Sequence, residues 1–228
     1  MLLEKYEKLP SDFKDDSIHS YYEILEKKKV SLFIKRCFDV FVASCMLIVA
    51  AVFLLIIAVA IKIDSPGTVF YRQERITKYG KKFRIFKFRT MVSNADKIGT
   101  LVTLSNDARI TKVGKFLRKY RLDEIPQLLN ILTGDMSFVG ARPEVEKYVD
   151  AYAPEMFATL LMPAGVTSLA SIYYKDEDRL MKDAENADEI YVNEILPAKM
   201  KYNLDYIKKF SFWYDIKLMF KTFFAVVK

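Results

Sequence analysis

Within the stretch RLDEIPQLLNILTGDMSFVGARPE, residues 121–144, two adjacent carboxylates, Asp123 and Glu124, follow a basic segment and precede a helix whose entry is marked by Pro126. Proline suits a first helical turn, where its missing N–H has no intrahelical partner. The dyad is therefore placed at a helix N-terminus, whose partial positive charge favours ionised carboxylates. Asp123 is expected to be anionic at neutral pH and able to hold a divalent cation or attack an electrophile. A plain helix cap would use the same residue type at the same place. Chemistry is favoured by the cations supplied elsewhere: Lys87 and Arg89 in KFRTM, Arg118 in a basic helix, and Arg142 in GARP. Phosphoryl transfer asks for this combination, with cations and Mg²⁺ offsetting charge on phosphate oxygens and a fixed nucleophile in line with the leaving group. Arginine's planar fork holds a phosphate through two N–H groups at once. No Gly-rich phosphate loop of the Walker type occurs, which argues against a nucleotide triphosphatase.

Several elements must position these groups. In RITKVGKFLRKYR, residues 109–121, Ile110, Val113, Leu117 and Tyr120 recur at helical spacing among lysines and arginines. This is a basic amphipathic helix that brings Arg118 within about one and a half turns of Asp123. The helix after the dyad, 125–132, stops at Gly134, a residue suited to the left-handed conformation past a helix end. Upstream, the aromatic and β-branched runs 68–72 and 83–90 flank Gly80 and predict a β-hairpin. Phe83, Ile85, Lys87 and Arg89 then share one strand face, although a solvated strand edge explains the two cations equally well. MPAGVTSLAS, residues 162–171, reads as a loop leading into a short apolar element, and the charged stretch 176–186 as an exposed helix. Residues 211–228 set Phe212, Ile216, Phe220, Phe223 and Val227 along one stripe, with Asp215, Lys217, Lys221 and Lys228 outside it. Such a helix lies in a membrane interface or packs on the core.

The 228 residues fit one domain with appendages, and a net charge of +7 calls for an anionic partner. Nucleic acid, an anionic membrane face and phosphorylated small substrates all qualify. Cys37 and Cys45 give neither a disulfide framework nor zinc spacing, and the lone His19 excludes a histidine base. Residues 1–34 read as a mobile or surface-lying arm. Residues 40–61 carry no charge, and a helix of that length can cross a bilayer core of about 30 Å. Lys27, Lys28, Lys29, Lys35 and Arg36 stand before it, and Lys62, Arg72, Arg75, Lys78, Lys81 and Lys82 after it. Lys/Arg excess marks the cytoplasmic side, so both ends claim the same side. A helix that dips into one leaflet and returns satisfies both flanks; a straight crossing is the other option, since the run contains no Pro or Gly to bend it. A site beside such a helix suggests a lipid phosphate as one substrate.

KFRTM (87–91), LDEIPQLLNIL (122–132) and GDMSFVGARP (134–143), in that order, strongly resemble the bacterial sugar transferase family, the small monotopic polyprenyl-phosphate phosphoglycosyl transferases. The resemblance runs from about residue 35 to the C-terminus and includes DSPGTVFYRQ (64–73). It implies an enzyme on the cytoplasmic face of the bacterial inner membrane that moves a sugar 1-phosphate from a UDP-sugar to a polyprenyl (undecaprenyl) phosphate. UMP is released, Mg²⁺ is required, and the product initiates glycoconjugate or exopolysaccharide synthesis. By motif, Asp123 matches the nucleophile that forms a covalent phosphosugar intermediate beside the metal, and Glu124 its dyad partner. Arg142 matches the phosphate-binding arginine of a Pro-Arg-Pro segment, and Lys87 and Arg118 match basic residues lining the site. The chain departs from the family where it has Ala51-Val52 in place of a helix-breaking Ser-Pro pair, Ala141 in place of the first proline of Pro-Arg-Pro, and PAGVTSLAS in place of a Pro-Gly-x-Thr-Gly loop.

The expected architecture is mainly α with a small β-hairpin (α+β). It comprises an arm (1–34), a membrane-embedded re-entrant helix (35–62) and a catalytic domain with interfacial amphipathic helices (63–228). UDP-sugar, polyprenyl phosphate and membrane lipid are the expected partners, with no role for nucleic acid and with a homodimer left open. The competing reading is a membrane-tethered basic module that binds anionic lipid or nucleic acid without catalysis. It gives no reason for an Asp-Glu dyad facing an Arg-Pro loop, because carboxylates repel phosphate unless a metal intervenes.

Overall fold

Asp15 accepts a hydrogen bond from the Ser17 N–H at 2.8 Å and so caps the first helix, α1 (Asp16–Glu26). The computed structural model describes residues 3–93, 95, 107–174 and 187–227. In it the segment expected as a mobile or surface-lying arm carries part of the core: Phe13, Ile18, Tyr21, Tyr22 and Leu25 are buried in the main apolar cluster. Ile18, Tyr21, Tyr22 and Leu25 fall at i, i+3, i+4 and i+7, which puts them on one helix face. Lys28 Nζ then donates to the Phe210 carbonyl at 2.5 Å and ties the segment to the far end of the chain.

Helix α2 (Lys29–Asp64) runs unbroken through Ala51-Val52, and by length and composition it is apolar enough to cross a membrane. Its two ends are packed and its middle is not. Leu32, Lys35, Asp39 and Ala43 are buried near one end and Ile57 and Ile61 near the other, while Met46, Ile48, Val49, Val52, Phe53 and Leu55 are exposed between them. Lys35 is not the flanking cation that its position suggested. It is 2% exposed, and its ammonium donates to Asp215 Oδ2 at 2.5 Å and to the Val139 carbonyl at 2.8 Å. Arg36 is likewise engaged, donating to the Ile131 and Leu132 carbonyls at 2.5 and 2.9 Å. That contact satisfies carbonyls which a helix leaves free at its C-terminus.

The hairpin forms as expected, with strands β1 (Phe70–Ile76) and β2 (Lys82–Phe88) reaching further toward the turn than the aromatic runs alone indicated. Gly80 occupies the turn with φ 74°. In register, Tyr71 faces Lys87 and Arg75 faces Phe83. Helix α3 (Lys112–Lys119) is capped by Thr111, whose hydroxyl accepts from the Gly114 N–H at 3.0 Å. Helix α4 (Gln127–Thr133) ends at Gly134 in the left-handed region, φ 89°. Asn130 binds α4 to β2 by accepting from the Phe86 N–H at 2.8 Å and donating to the Arg84 carbonyl at 3.1 Å.

A second sheet was not expected. Strands β3 (Met136–Val139) and β4 (Ala164–Thr167) pair in parallel, so the segment read as a loop is in part a buried strand. Between them lie α5 (Glu146–Val149) and a 3-10 segment, Pro154–Leu161. Helix α6 (Leu169–Tyr173) follows β4. Helix α7 (Ala187–Ile190) continues through a π turn, Tyr191–Ile195, into α8 (Leu196–Lys209), and α9 (Phe212–Val227) closes the described chain. The charged stretch 176–186 lies outside the described residues. On α9, Asp215 and Leu218 face inward, whereas Trp213, Phe220, Phe223 and Phe224 are exposed. Asp215, expected outside the apolar stripe, is instead 3% exposed and paired with Lys35.

The N-terminal packing sets a direct expectation. Phe13 sits edge-on to Tyr79 and Phe157, with ring centroids at 6.1 and 6.0 Å. Phe13→Ala should destabilise the protein by about 3–5 kcal/mol in thermal or chemical unfolding. An unchanged transition would mean that the segment does not pack.

Candidate active site

The dyad is presented by a tight reversal of the chain. Arg121 adopts left-handed backbone, φ 53°, directly after α3, and the 3-10 turn Leu122–Glu124 leads through Ile125 and Pro126 into α4. A non-glycine residue seldom holds that conformation, and here it turns the chain so that consecutive carboxylates emerge between α3 and α4. Pro126 is the cap of α4 rather than a first-turn residue.

Glu124 is the hub. Its Oε1 accepts from Lys87 Nζ at 2.9 Å and from the Arg142 guanidinium at 2.6 Å, in an environment that leaves its side chain 14% exposed. Burial pushes this carboxyl up, but Arg142 and Lys87 beside it win and hold it far below the usual carboxylate range. The Lys87 ammonium is itself pushed down by burial and by neighbouring Arg142, with Glu124 opposing.

Asp123 differs from its neighbour. Among the described residues its carboxylate makes no hydrogen bond to another side chain. Burial raises its pKa above the ordinary 3.8, the Glu124 charge adds to the rise, and Lys87 and Arg118 counter it. The helix end alone would have given the opposite direction, so desolvation and the adjacent carboxylate outweigh it here. The result is a poised, relatively basic oxygen beside an acid that stays ionised.

Each cation is positioned by its own element. Lys87 projects from the inner face of β2, beyond buried Phe83 and Ile85. Arg142 rides on a loop clamped to β4, where the Gly140 N–H donates to the Thr167 carbonyl at 3.0 Å and the Gly165 N–H to the Ala141 carbonyl at 2.8 Å. A Cβ on Gly165 would lie 2.2 Å from the Gly140 nitrogen, so this close approach requires glycine. Arg118 donates through Nε to Thr90 Oγ1 at 2.9 Å, and its charge is felt at Asp123. Arg89 behaves otherwise. It is buried, and its guanidinium donates to the Ile61, Ser65 and Pro66 carbonyls and to Ser93, so it clamps the end of α2 rather than joining the carboxylates.

The structure adds residues that motif reading passed over. Arg75 donates to the Pro143 carbonyl at 3.4 Å and to Gln73 Oε1 at 2.7 Å, and it feels both Glu144 and Arg142. Alternation along β1 could have found it, since Tyr71, Gln73 and Arg75 share the face that opposes Lys87. Glu144, two residues past Arg142, is buried and accepts from the Tyr191 hydroxyl at 2.6 Å, with Lys199 at 3.6 Å. No sequence pattern pointed to that anchor.

Among the described residues no three His, Cys, Asp or Glu side chains converge to cage a metal. Mg²⁺ commonly takes one or two carboxylates and completes its shell with substrate phosphates and water, and the uncommitted carboxylate of Asp123 fits that mode.

A family model described as bacterial sugar transferase matches residues 30–228. The chain is 34% identical, over 95% of its length, to the UDP-N-acetylgalactosamine-undecaprenyl-phosphate N-acetylgalactosaminephosphotransferase of Aeromonas hydrophila, covering 49% of that protein. It is 37% identical, over 86% of its length, to the UDP-glucose:undecaprenyl-phosphate glucose-1-phosphate transferase of Escherichia coli K12, covering 40% of it. It is 35% identical, over 83% of its length, to a putative undecaprenyl-phosphate N-acetylgalactosaminyl 1-phosphate transferase of Bacillus subtilis 168, covering 100% of that protein. The chain thus spans less than half of the first two relatives.

The raised Asp123 carboxyl gives a signed expectation. A folded-state pKa above the unfolded value leaves stability intact below about 3.8 and removes it as pH rises through the folded value. Asp123→Asn should therefore raise Tm at pH 7, with the gain vanishing as the pH drops below the ordinary aspartate range. A lower Tm at pH 7 would contradict the assignment of a desolvated, unpaired carboxylate.

Proposed function

This chain belongs to the bacterial sugar transferase family, and from that premise we propose that it moves a sugar 1-phosphate from a UDP-sugar to a polyprenyl phosphate, releasing UMP. The observation that carries the reading is the division of labour in the dyad: Glu124 is neutralised by Lys87 and Arg142, and Asp123 is left unpaired with an elevated pKa. A module that only bound anionic lipid would have no use for a desolvated carboxylate among its cations. The names of the relatives support a nucleotide-sugar donor and undecaprenyl phosphate as acceptor.

In the proposed reaction an Asp123 oxygen attacks the phosphorus that carries the sugar. The bond from that phosphorus to the bridging oxygen breaks, and UMP leaves with the electron pair. An oxygen of the lipid phosphate then attacks the aspartyl phosphosugar, and cleavage of its acyl-phosphate P–O bond restores the carboxylate. One site so handles a soluble donor and a lipid acceptor in turn. Lys87, Arg142, Arg118 and Arg75 would bind the phosphate oxygens, and Glu124 would fix the first two of these cations. Arg89 would act on the site only by holding the end of α2. Asp123 would be the protein ligand of Mg²⁺, which when bound supplies charge neutralisation for the diphosphate.

We place the chain on the cytoplasmic face of the bacterial inner membrane, with α2 turning back inside one leaflet and α3 and α9 lying in the interface. Packing supports a returning helix. Arg36 holds Ile131, Asn130 next to it holds Phe86, and Phe88, about 7 Å along β2, packs with Ile61. A straight helix would separate residues 36 and 61 by about 37 Å, which is a long reach for that chain of contacts. Exposed Phe116 on α3 and exposed Trp213, at 77%, on α9 suit a lipid surface.

Two measurements test the reading. Incubated with a panel of UDP-sugars and Mg²⁺ but no acceptor, the enzyme should release UMP in an amount close to its own, and Asp123→Asn should abolish release; a strict need for the lipid would favour direct transfer. In a Cys37→Ser, Cys45→Ser background, Glu7→Cys should be labelled only from the cytoplasmic side, and labelling from the other side would establish a crossing helix.

A further inference from the structure

Gln127 is 2% exposed and its amide nitrogen, Nε2, is enclosed without a hydrogen-bond partner among the described residues. A buried amide donor is almost always paired, and leaving one unmade is costly. Its place in the fold makes the orphan informative. Ile125 and Pro126 both have right-handed helical backbone, so the 3-10 turn Leu122–Glu124 and α4 follow one continuous helical path. At about 100° per residue, Gln127 lies roughly 40° from Asp123 and roughly 60° from Glu124, one turn below them. The same face reaches β2 on both sides of it: Glu124 contacts Lys87, and Asn130 contacts Phe86 and Arg84. Helical phase thus puts Gln127 one turn below the dyad, on the face turned toward the strand that carries Lys87. An amide donor enclosed one helical turn from a nucleophile, and lacking an acceptor among the described residues, is matched by an acceptor that arrives with the substrate.

Resting on the proposed function, we infer that Gln127 is a further catalytic residue whose amide N–H donates to a non-bridging oxygen of the phosphoryl group as it joins Asp123. A donor fixed by packing before the reaction begins stabilises developing charge without reorganisation. Neighbouring Asn130 could not take this part, because both ends of its amide are committed to the β2 backbone.

The test uses the full chain in detergent, with the UDP-sugar that gives the largest acceptor-free UMP burst, and compares the wild type with Gln127→Met and Gln127→Leu. Both substitutions keep the bulk and remove the donor. The expected result is a Tm equal to or above that of wild type, a burst amplitude still near one per enzyme, and a burst rate reduced about 10²-fold. A burst rate within twofold of wild type in either variant of unchanged Tm overturns the inference, because the amide would then be a tolerated core orphan. A fall in Tm in both variants overturns it too, since the amide would then be satisfied within the folded chain. Absence of any acceptor-free burst from the wild type, with UMP released only once the lipid acceptor is added, removes the covalent aspartyl intermediate and this inference with it.

Discussion

One oxygen atom, Oε1 of Glu124, accepts from an ammonium and a guanidinium that come from opposite directions. Lys87 reaches it from a hairpin strand and Arg142 from a loop sewn to a parallel sheet, so this atom is where β2, α4 and the β3–β4 layer meet. Two cations held so close repel each other, and only a carboxylate between them makes the arrangement tolerable in a poorly hydrated site. The same charge acts on Asp123, whose carboxyl is raised partly by Glu124. Burying an acid beside two bases therefore does two jobs at once: it holds Lys87 and Arg142 together and makes the neighbouring oxygen more basic. The dyad is best understood as a pair with divided roles.

The rest of the molecule holds that point steady. Asn130 fixes β2 to α4, Arg36 closes the C-terminal end of α4, and Arg75 with the Glu144–Tyr191 contact grips the backbone on the far side of Arg142. Behind the site, the buried Lys35–Asp215 pair joins α2 to α9, with Tyr206 donating to the second Asp215 oxygen at 2.7 Å. A buried ion pair of this kind adds little net stability over apolar packing, but breaking it strands a charge. Its contribution here is to the mutual placement of helices that are far apart in sequence.

Much of this was legible in the sequence where the signal is local. Gly134 past the end of α4, Gly80 in the hairpin turn and the basic face of α3 are statements about backbone conformation and side-chain period, which adjacent residues decide. The cations Lys87, Arg118 and Arg142, which surround the dyad, are legible through motif. Arg89 was read by strand alternation, yet the strand ends at Phe88 and the next side chain turns to cap α2. Strands β3 and β4 are four-residue buried runs, too short for periodicity to separate from loop or helix. Lys35 and Asp215 both read as surface charge in sequence, because a partnership between residues 180 positions apart leaves no mark on either local pattern. The segment before α2 hides its packing for a related reason: its mixed charges conceal a single apolar face.

The engagement of Lys35 carries a mechanical consequence. An α-helix advances about 1.5 Å and turns about 100° with each residue, so a slip of α2 by even one position would swing the ammonium away from Asp215 and Val139. Asp39, one turn further along, accepts from the Phe138 N–H at 3.3 Å and locks the same angle a second time. The apolar shaft is thereby keyed at one depth and one rotation relative to the elements that carry the dyad. A protein built this way does not piston toward its substrate. If the shaft is seated in lipid, the altitude of Asp123 above the headgroups is a constant of the molecule, and any lipid group that is to react there has to climb to meet it.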